Sequence, residues 1–239
     1  MFAIIDVAKR TAHRDVVADP VAHGWVLNLY LSGERYPEAV TDYFQHEYAP
    51  TVELADAIRR HAADENKHVR LYEHALSDIR QPVVDVSPPF VFNEVVRSFT
   101  PETFHARPDD PSDVQRFKLA NFLAHAHFLE KRVGRSIEYH ADACGDHDRD
   151  IVGRCVAAVI RDEHRHVTYT IEAVRDLLTR RQFDRVLDAH RRAEAKANLQ
   201  FSRRLLRRFR DSFAHQFPRR RRLMYRVGQM ILDGADRVV

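Results

Sequence analysis

The chain contains two copies of the pattern DExxH, Asp64-Glu65-Asn66-Lys67-His68 and Asp162-Glu163-His164-Arg165-His166. Residues three apart on a helix lie on one face about one turn apart, so the Glu and His of each copy can reach a single metal ion. Although 15 of the 239 residues are histidines, the composition predicts far fewer than one DExxH match by chance. The two copies therefore indicate a metal site.

Each copy lies in the middle of an apolar stripe at helical spacing. The stripe around the first copy contains Leu54, Ile58, His61, Glu65, His68, Tyr72, Leu76 and Ile79, and the stripe around the second contains Val152, Val156, Val159, Glu163, His166, Thr170, Val174 and Leu177. A third stripe, from Leu119 to Ala141, carries Glu130 near its centre. A buried, unpaired carboxylate costs several kcal/mol or becomes protonated, so these helices together predict a shared cation.

The same periodicity predicts an all-α fold with four long helices. The predicted helices fill roughly residues 20–48, 50–80, 112–143 and 149–180. The breaks between members of each pair are short, so each pair is an antiparallel αα-hairpin. The proline-rich residues 81–111 form a long crossover with room for a short helix at 91–99. We assign residues 1–180 to this bundle and residues 181–239 to an Arg-rich helical extension packed on the same domain.

The composition excludes several other classes of protein. Seven Gly and ten Pro are too few for a collagen-like, low-complexity or turn-dense all-β chain, and 44% apolar residues suffice for one large core. The two cysteines, Cys144 and Cys155, give no disulfide scaffold and predict a cytoplasmic location. The first residues lack a basic region, and no apolar run approaches about 18 residues, so we expect neither a secretion signal nor a transmembrane span.

The first hairpin supplies one more acid at the height of its motif. If a hairpin turns near residue t, position x faces roughly position 2t − x. A turn near Pro50 places Glu34 opposite Glu65. Pro37 interrupts this helix, and a kink there would bring Glu38 inward, so Glu38 stays open as the alternative to Glu34.

The second hairpin repeats the arrangement. A turn near His147 places Glu130 next to the position that faces Glu163. The two halves therefore form an internal repeat, in which each half contributes one Glu and one Glu-x-x-His. Gly134 lies one turn beyond Glu130, where it either leaves space for a substrate or allows close packing of helices.

Four carboxylates and two imidazoles on four antiparallel helices make the chain resemble the ferritin-like di-iron carboxylate superfamily over about residues 20–180. The residues that match its six-ligand pattern are Glu34, Glu65, His68, Glu130, Glu163 and His166. The chain looks most like the oxygen-using branches, namely the aldehyde-deformylating oxygenases, the tRNA-modifying hydroxylases and the arylamine N-oxygenases. The resemblance implies a ferritin-like four-helix bundle around two iron ions, with manganese as the alternative at one or both positions.

The resemblance also implies a function. We expect a non-haem di-iron oxidoreductase, a monooxygenase or oxidase, that activates O2 or peroxide to oxidise or hydroxylate a small organic substrate, with an electron donor protein as partner. The open alternatives are an iron-storage or peroxide-scavenging protein, a tRNA-modifying hydroxylase and a purely structural metal bundle. The chain lacks the CxxC…CxxC module of rubrerythrins, and Val159 stands where the arylamine N-oxygenases carry a third His. The oligomeric state, with a homodimer as one option, stays open.

Other polar residues share the inner helix faces. We name Tyr72, His61 and His127 as catalytic residues, against the alternative that they only pack in the core. Asp64 and Asp162 are expected to bond the ligand His of the opposite hairpin and so to fix its tautomer.

Positive charge is concentrated near the C terminus. The formal net charge is +3, yet Gln200 to Arg226 contain ten Arg and a single acid. The Arg pairs alternate with apolar residues at helical spacing, which predicts an amphipathic helix with a solvated face. The alternatives are a membrane-surface helix or a docking surface at Arg203–Arg222 for an anionic partner, such as an acyl-carrier protein, an acidic reductase or tRNA.

Overall fold

The computed structural model describes residues 2–39, 43–100, 105–147 and 150–235, and these segments are almost entirely helical. They contain eight α-helices and no β-strand. The helices are α1 (Phe2–Ala18), α2 (Pro20–Ala39), α3 (Val52–Asp78), α4 (Phe92–Phe99), α5 (Ser112–Asp146), α6 (Asp150–Leu177), α7 (Arg180–Ser212) and α8 (Arg219–Ala235). The prediction of an all-α fold is confirmed.

Two helix boundaries differ from those expected. The first long helix was expected to reach residue 48, but α2 ends at Ala39, residues 43–45 are not helical and His46–Tyr48 form a short 3-10 helix. Pro37 lies inside α2 and cannot donate a backbone hydrogen bond, which weakens this end of the helix. Residues 40–42 lie outside the described segments. At the N terminus, ahead of the four predicted helices, the chain forms the 17-residue helix α1.

Local side chains set where several helices begin. The Asp19 carboxylate accepts a hydrogen bond from the Ala22 backbone N–H at 2.8 Å, at the start of α2. The Thr51 hydroxyl caps α3 in the same way, and Thr179 and Gln182 form a reciprocal capping box at the start of α7. Each cap satisfies a backbone donor that the first turn of a helix leaves unpaired.

Contacts along α2 and α3 show that the two helices run antiparallel. The Arg35 guanidinium lies 2.5 Å from the Glu73 carboxylate, whereas Asn28, about two turns earlier, donates to the Pro82 carbonyl just beyond the end of α3. Residues from both helices share one apolar core with residues of α5 and α6. Its members include Leu27, Leu31, Tyr72, Leu76, Ile137, Val152, Val156 and Val159.

The pair α5 and α6 is also antiparallel. His127 of α5 donates to the Val167 carbonyl of α6, while Cys144, near the end of α5, lies beside Gly153, near the start of α6. Helix α3 packs against α6 as well, so the middles of α2, α3, α5 and α6 meet in the interior of the protein. These are the helices that carry the predicted ligands.

The remaining helices cover this core. Helix α1 packs on α5, where Arg14 pairs with Asp146 at 2.7 Å, and α4 packs on α7 through apolar residues. Helix α8 packs on α7 and is attached to α1 by a buried hydrogen bond of 2.5 Å from the Tyr225 hydroxyl to Asp15. None of the helices in the described segments combines the length and apolar character needed to span a bilayer.

The Arg-rich stretch is divided between the end of α7 and the start of α8. Several of its guanidinium groups are paired with acids within the chain: Arg203 and Arg207 with Asp233, Arg210 with Asp211 and Arg221 with Asp15. Arg219 and Arg220, at the start of α8, are exposed.

Candidate dinuclear metal centre

The six predicted ligands converge from four helices. Helix α2 supplies Glu34, α3 supplies Glu65 and His68, α5 supplies Glu130, and α6 supplies Glu163 and His166; none is more than 7% exposed. With His61 of α3 they form two groups: Glu34, Glu65, His68 and Glu163, and His61, Glu65, Glu130 and His166. Within each group the donor atoms all lie within 4.8 Å of one another. Glu65 belongs to both groups, so it lies between two prospective ion positions.

The histidines of the two DExxH motifs, His68 and His166, both direct Nδ1 at the motif glutamates, Glu65 and Glu163. Nδ1 of His68 lies 3.7 Å from Oε1 of Glu163 and 3.9 Å from Oε1 of Glu65. Nδ1 of His166 lies 3.7 Å from Oε2 of Glu163 and 3.8 Å from Oε1 of Glu65. Both glutamates of the DExxH motifs therefore lie between the two imidazoles, while Glu34, with Oε2 3.3 Å from Nδ1 of His68, lies at one end.

His61, named from the sequence as a catalytic residue, lies at the other end. Its Nε2 is 3.3 Å from Oε1 of Glu65 and 3.4 Å from Oε1 of Glu130, and its ring stacks on His166 with centroids 3.7 Å apart. Its Nδ1 is 2.7 Å from the Tyr169 hydroxyl. The structure thus places His61 among the donors that could hold an ion.

Several polar atoms of the cluster are buried without a hydrogen-bond partner. They are Nε2 of His61, Oε1 of Glu65, both carboxylate oxygens of Glu163 and Nδ1 of His166. A buried polar atom that is left unpaired costs about 1–3 kcal/mol, more if it is charged. Metal ions would satisfy all of these atoms at once, since each is an electron-pair donor. Two divalent cations would also balance the charge of the four carboxylates, so the residues fit a dinuclear centre.

Without metal, the carboxylates compete for protons. Burial, reinforced by the nearby charge of Glu65, raises the pKa of Glu34 to about 8, and burial together with Glu130 raises the pKa of Glu163 well above its ordinary value. Burial also opposes the charge of Glu130, but the neighbouring His61, with Nε2 3.4 Å from Oε1 of Glu130, and Glu163 lower its pKa to about 2. The repulsion among these acids is therefore relieved either by protons or by cations.

Two aspartates contact the motif histidines at Nε2, the ring nitrogen that faces away from the cluster. Nε2 of His68 lies 3.1 Å from Oδ2 of Asp162, and Nε2 of His166 lies 3.3 Å from Oδ2 of Asp64. The expected contact of each aspartate with the histidine of the opposite hairpin is confirmed. Because a carboxylate accepts the N–H of Nε2, Nδ1 of the same ring faces the centre and is the nitrogen that would bind an ion there.

Sequence reasoning missed two cations that connect these aspartates. The Arg165 guanidinium lies 2.6 Å from Asp64 and 2.7 Å from Asp162, and Lys67 pairs with both aspartates from the other side. Burial alone would raise the pKa of Asp162, but Lys67, Arg165 and His68 hold it below its ordinary value. A signal was present in the sequence, since Lys67 and Arg165 occupy the same position in the two DExxH motifs.

The other named residues lie outside the two ligand groups. His127 is buried, and its Nδ1 donates to the Val167 carbonyl at 3.0 Å, which gives it a structural partner. Tyr72 is fully buried, and its hydroxyl has no hydrogen-bond partner among the described residues. Burial and the neighbouring Glu34 raise the pKa of Tyr72 well above its ordinary value. The Glu38 side chain lies outside the described residues.

A surface cleft of about 680 Å³ reaches the cluster between α5, α6 and α7. Its lining includes Glu130 and Glu163, which are buried, and Gly134 of α5. A Cβ added to Gly134 would lie 3.7 Å from Cβ of Glu163, an ordinary contact distance. The absence of a side chain at Gly134 therefore keeps this part of the cleft wide beside the carboxylates.

Comparisons of this chain with protein-family models, with curated proteins and with solved structures found no match. Any function assigned to the chain therefore rests on the chemistry of the site itself.

Removal of either outer aspartate should weaken metal binding. Asp64→Ala and Asp162→Ala each remove the acceptor that orients a motif histidine, and we expect metal affinity to fall about 10- to 100-fold. Competition with a chromophoric chelator measures this change. Asp56→Ala is the matched control, because Asp56 is exposed on the same helix as Asp64 and should leave the affinity unchanged. Unaltered affinity in both test variants would contradict the role given to these aspartates.

Metal binding should tighten as pH rises from about 6 to about 8, because metal must displace protons from the cluster. In the metal-free protein, burial and the charge of Glu65 raise the pKa of Glu34 to about 8. Burial disfavours the charged form of His68, but Glu34 and Glu65 raise its pKa to about 9, so this pair retains a proton at neutral pH that a metal ion must displace. As pH approaches these raised pKa values, the competing protons are lost. Calorimetry in two buffers of different ionisation enthalpy should show net proton release. Binding that weakens with rising pH would refute this expectation.

Proposed function

We propose that the protein is a non-haem di-iron oxidoreductase that uses O2 or peroxide to oxidise or hydroxylate a small organic substrate. The observation that carries this proposal is the pair of overlapping ligand groups, which bury four carboxylates and three imidazoles and share Glu65. Carboxylate oxygens with imidazole nitrogens suit iron and manganese, whereas thiolate-rich sites favour softer ions. A dinuclear carboxylate site inside a helical protein is the arrangement of the di-iron and di-manganese carboxylate proteins.

The proposal includes a ferritin-like arrangement of the four site helices. The pairs α2 with α3 and α5 with α6 are antiparallel and are separated in the chain by a long connection that contains α4. Each pair contributes one Glu from its first helix and one Glu-x-x-His from its second. This is the placement of ligands known for bundles of that type.

The chain's own residues would hold the two ions in distinct ways. Glu34, Glu65, His68 and Glu163 would hold one ion, and His61, Glu65, Glu130 and His166 would hold the other. Two ferrous ions bound there would supply electrons for the reduction of O2 or peroxide. Asp162 and Asp64 keep Nδ1 of the motif histidines directed inward. The hydrogen bond of 2.7 Å between Tyr169 and His61 gives a proton a path to the edge of the cluster.

The surface cleft supports an organic substrate. Its volume of about 680 Å³ lies in the range of small-molecule pockets. Phe128 and Val167 give it apolar walls, and Arg135 pairs with Glu138 at 2.8 Å beside it. A cleft of this size beside Glu130 and Glu163 favours substrate oxidation over iron storage, because storage needs access for ions alone.

Metal content and O2 consumption test the proposed function. We expect two iron ions per chain after anaerobic loading with Fe(II), and O2 consumption by the loaded protein. Glu130→Ala removes a carboxylate from one ligand group and should abolish O2 consumption, whereas Asp113→Ala, an exposed acid on the same helix, should not change it. Many irons per chain would indicate storage, and peroxide turnover without an organic partner would indicate scavenging. A protein that holds no iron after this loading, with or without a bound zinc ion, would overturn the proposal.

The position of Gly134 in the cleft predicts that a large side chain there would impair substrate turnover without affecting iron binding. Gly134→Leu fills the cleft beside Glu163, so we expect turnover of organic substrates to fall at least about tenfold while the iron content stays at two per chain. Gly134→Ala is the matched control, since a Cβ fits there without displacing its neighbours. Candidate substrates are compared by substrate-dependent O2 consumption. Equal turnover in both variants would show that substrate does not enter through this cleft.

A further inference from the structure

A second buried cluster of side chains that can bind metal lies near the C-terminal end of α5. It consists of His23 of α2 with His140 and Cys144 of α5, whose donor atoms all lie within 4.8 Å of one another. All three residues are fully buried. His140 is ten residues beyond Glu130, so the cluster lies about 15 Å along the helix from the dinuclear centre.

The two imidazoles of this cluster face each other directly. Nε2 of His23 lies 2.9 Å from Nε2 of His140, and the rings are 4.9 Å apart between centroids. A third imidazole, His13 of α1, packs edge-on against His140 at 5.7 Å. Three helices thus bring three histidines and one thiol to one place in the core.

This cluster has the properties of a ligand set rather than of an ion pair. Among the described residues, this cluster contains two imidazoles and a thiol but no carboxylate, whereas the dinuclear centre contains four carboxylates. Within the described segments, no ion pair with a carboxylate of this cluster holds the imidazoles in the charged form, and the neutral ring is the form that binds metal.

A hydrogen bond between the two histidines does not fully account for the cluster. It uses one nitrogen of His140, while Nδ1 of His140 is buried with no hydrogen-bond partner, as is Nδ1 of His13. Buried polar atoms in native proteins normally have partners, and a group without one calls for an explanation such as an ion. The Cys144 thiol beside the imidazoles supplies a soft donor.

We propose that His23, His140 and Cys144 bind one thiophilic metal ion, Zn²⁺ or a copper ion, at a site separate from the dinuclear centre. Bond lengths of about 2.0–2.1 Å to nitrogen and about 2.3 Å to sulfur require donor atoms about 3.3–3.7 Å apart in a tetrahedral site. The present separations, 2.9 Å between the two imidazoles and none above 4.8 Å, bracket those values. Three protein donors leave a fourth position for another ligand.

Cobalt provides a direct probe, because Co²⁺ bound to a thiolate shows a sulfur-to-metal charge-transfer band that carboxylate and imidazole ligands do not give. We expect the full-length, metal-free protein to show this band on titration with Co²⁺. Cys144→Ser should abolish the band and lower the cobalt content by one ion per chain. Cys155→Ser is the matched control, because Cys155 is also a buried thiol in the same apolar core and should leave the band intact.

Two further variants keep the test decisive. His23→Gln retains the thiol, so it should weaken or abolish the band even if Cys144→Ser fails to fold, with circular dichroism as the check on folding. Glu163→Gln should lower the cobalt content at the dinuclear centre yet keep the band, which separates this proposal from the proposed function. Addition of Zn²⁺ or Cu⁺ to the cobalt protein then shows which ion displaces Co²⁺ at the lower concentration.

The proposal is overturned if the wild-type protein shows no thiolate-to-cobalt band. It is also overturned if the band persists in a folded Cys144→Ser or His23→Gln variant, or if Cys155→Ser abolishes it. In those cases the contact between His23 and His140 is a hydrogen bond that only holds α2 against α5.

Discussion

The structure depends on the burial of four carboxylates in the middle of its apolar core. Glu34, Glu65, Glu130 and Glu163 come from four helices, and the repulsion among them opposes the packing of those helices. Uncompensated charges in such a place would destabilise the fold by several kcal/mol each. The core can therefore close only if histidines, protons or metal ions neutralise the acids. The requirement for neutralisation connects the stability of the protein to its ability to bind metal.

A ring of charges around the two motif histidines fixes the relative position of the hairpins. Asp64 and Asp162 each contact a histidine of the other hairpin, and Lys67 and Arg165 each pair with both aspartates. Asp64, Asp162 and Lys67 are partly shielded from solvent, so their pairing is stronger than that of a fully exposed ion pair. Most contacts in this ring join α3 to α6, and the others join neighbours on one helix. A shift of α3 relative to α6 would therefore misplace the donors of both ligand groups.

Helical periodicity explains which parts of the fold and the site could be predicted from the sequence. The spacing of Glu65 with His68 and of Glu163 with His166 is fixed by the helix itself, and the mirror position of Glu130 follows from the short connection between α5 and α6. Residues 40–51 separate α2 from α3, so the short break expected near Pro50 is wrong, although the antiparallel order of the pair still places Glu34 in the cluster. The cluster of His23, His140 and Cys144 could not be found in this way, because it depends on how separate helices pack. The early end of α2 and the helical character of α1 were missed because they depend on Pro37 and on packing against α5.

The two halves of the internal repeat are not equivalent, and the difference lies at one pair of positions. His61 precedes the first motif by the same interval at which Val159 precedes the second. Val159 is fully buried in the apolar core, whereas His61 stacks on His166 and faces Glu65 and Glu130. One ligand group therefore has three carboxylates and one imidazole, and the other has two of each. An ion in the second group would keep more of its positive charge. The cleft is lined by Glu130 of this group and by Glu163 of the other, so a small molecule that enters it approaches two ion positions of unequal charge.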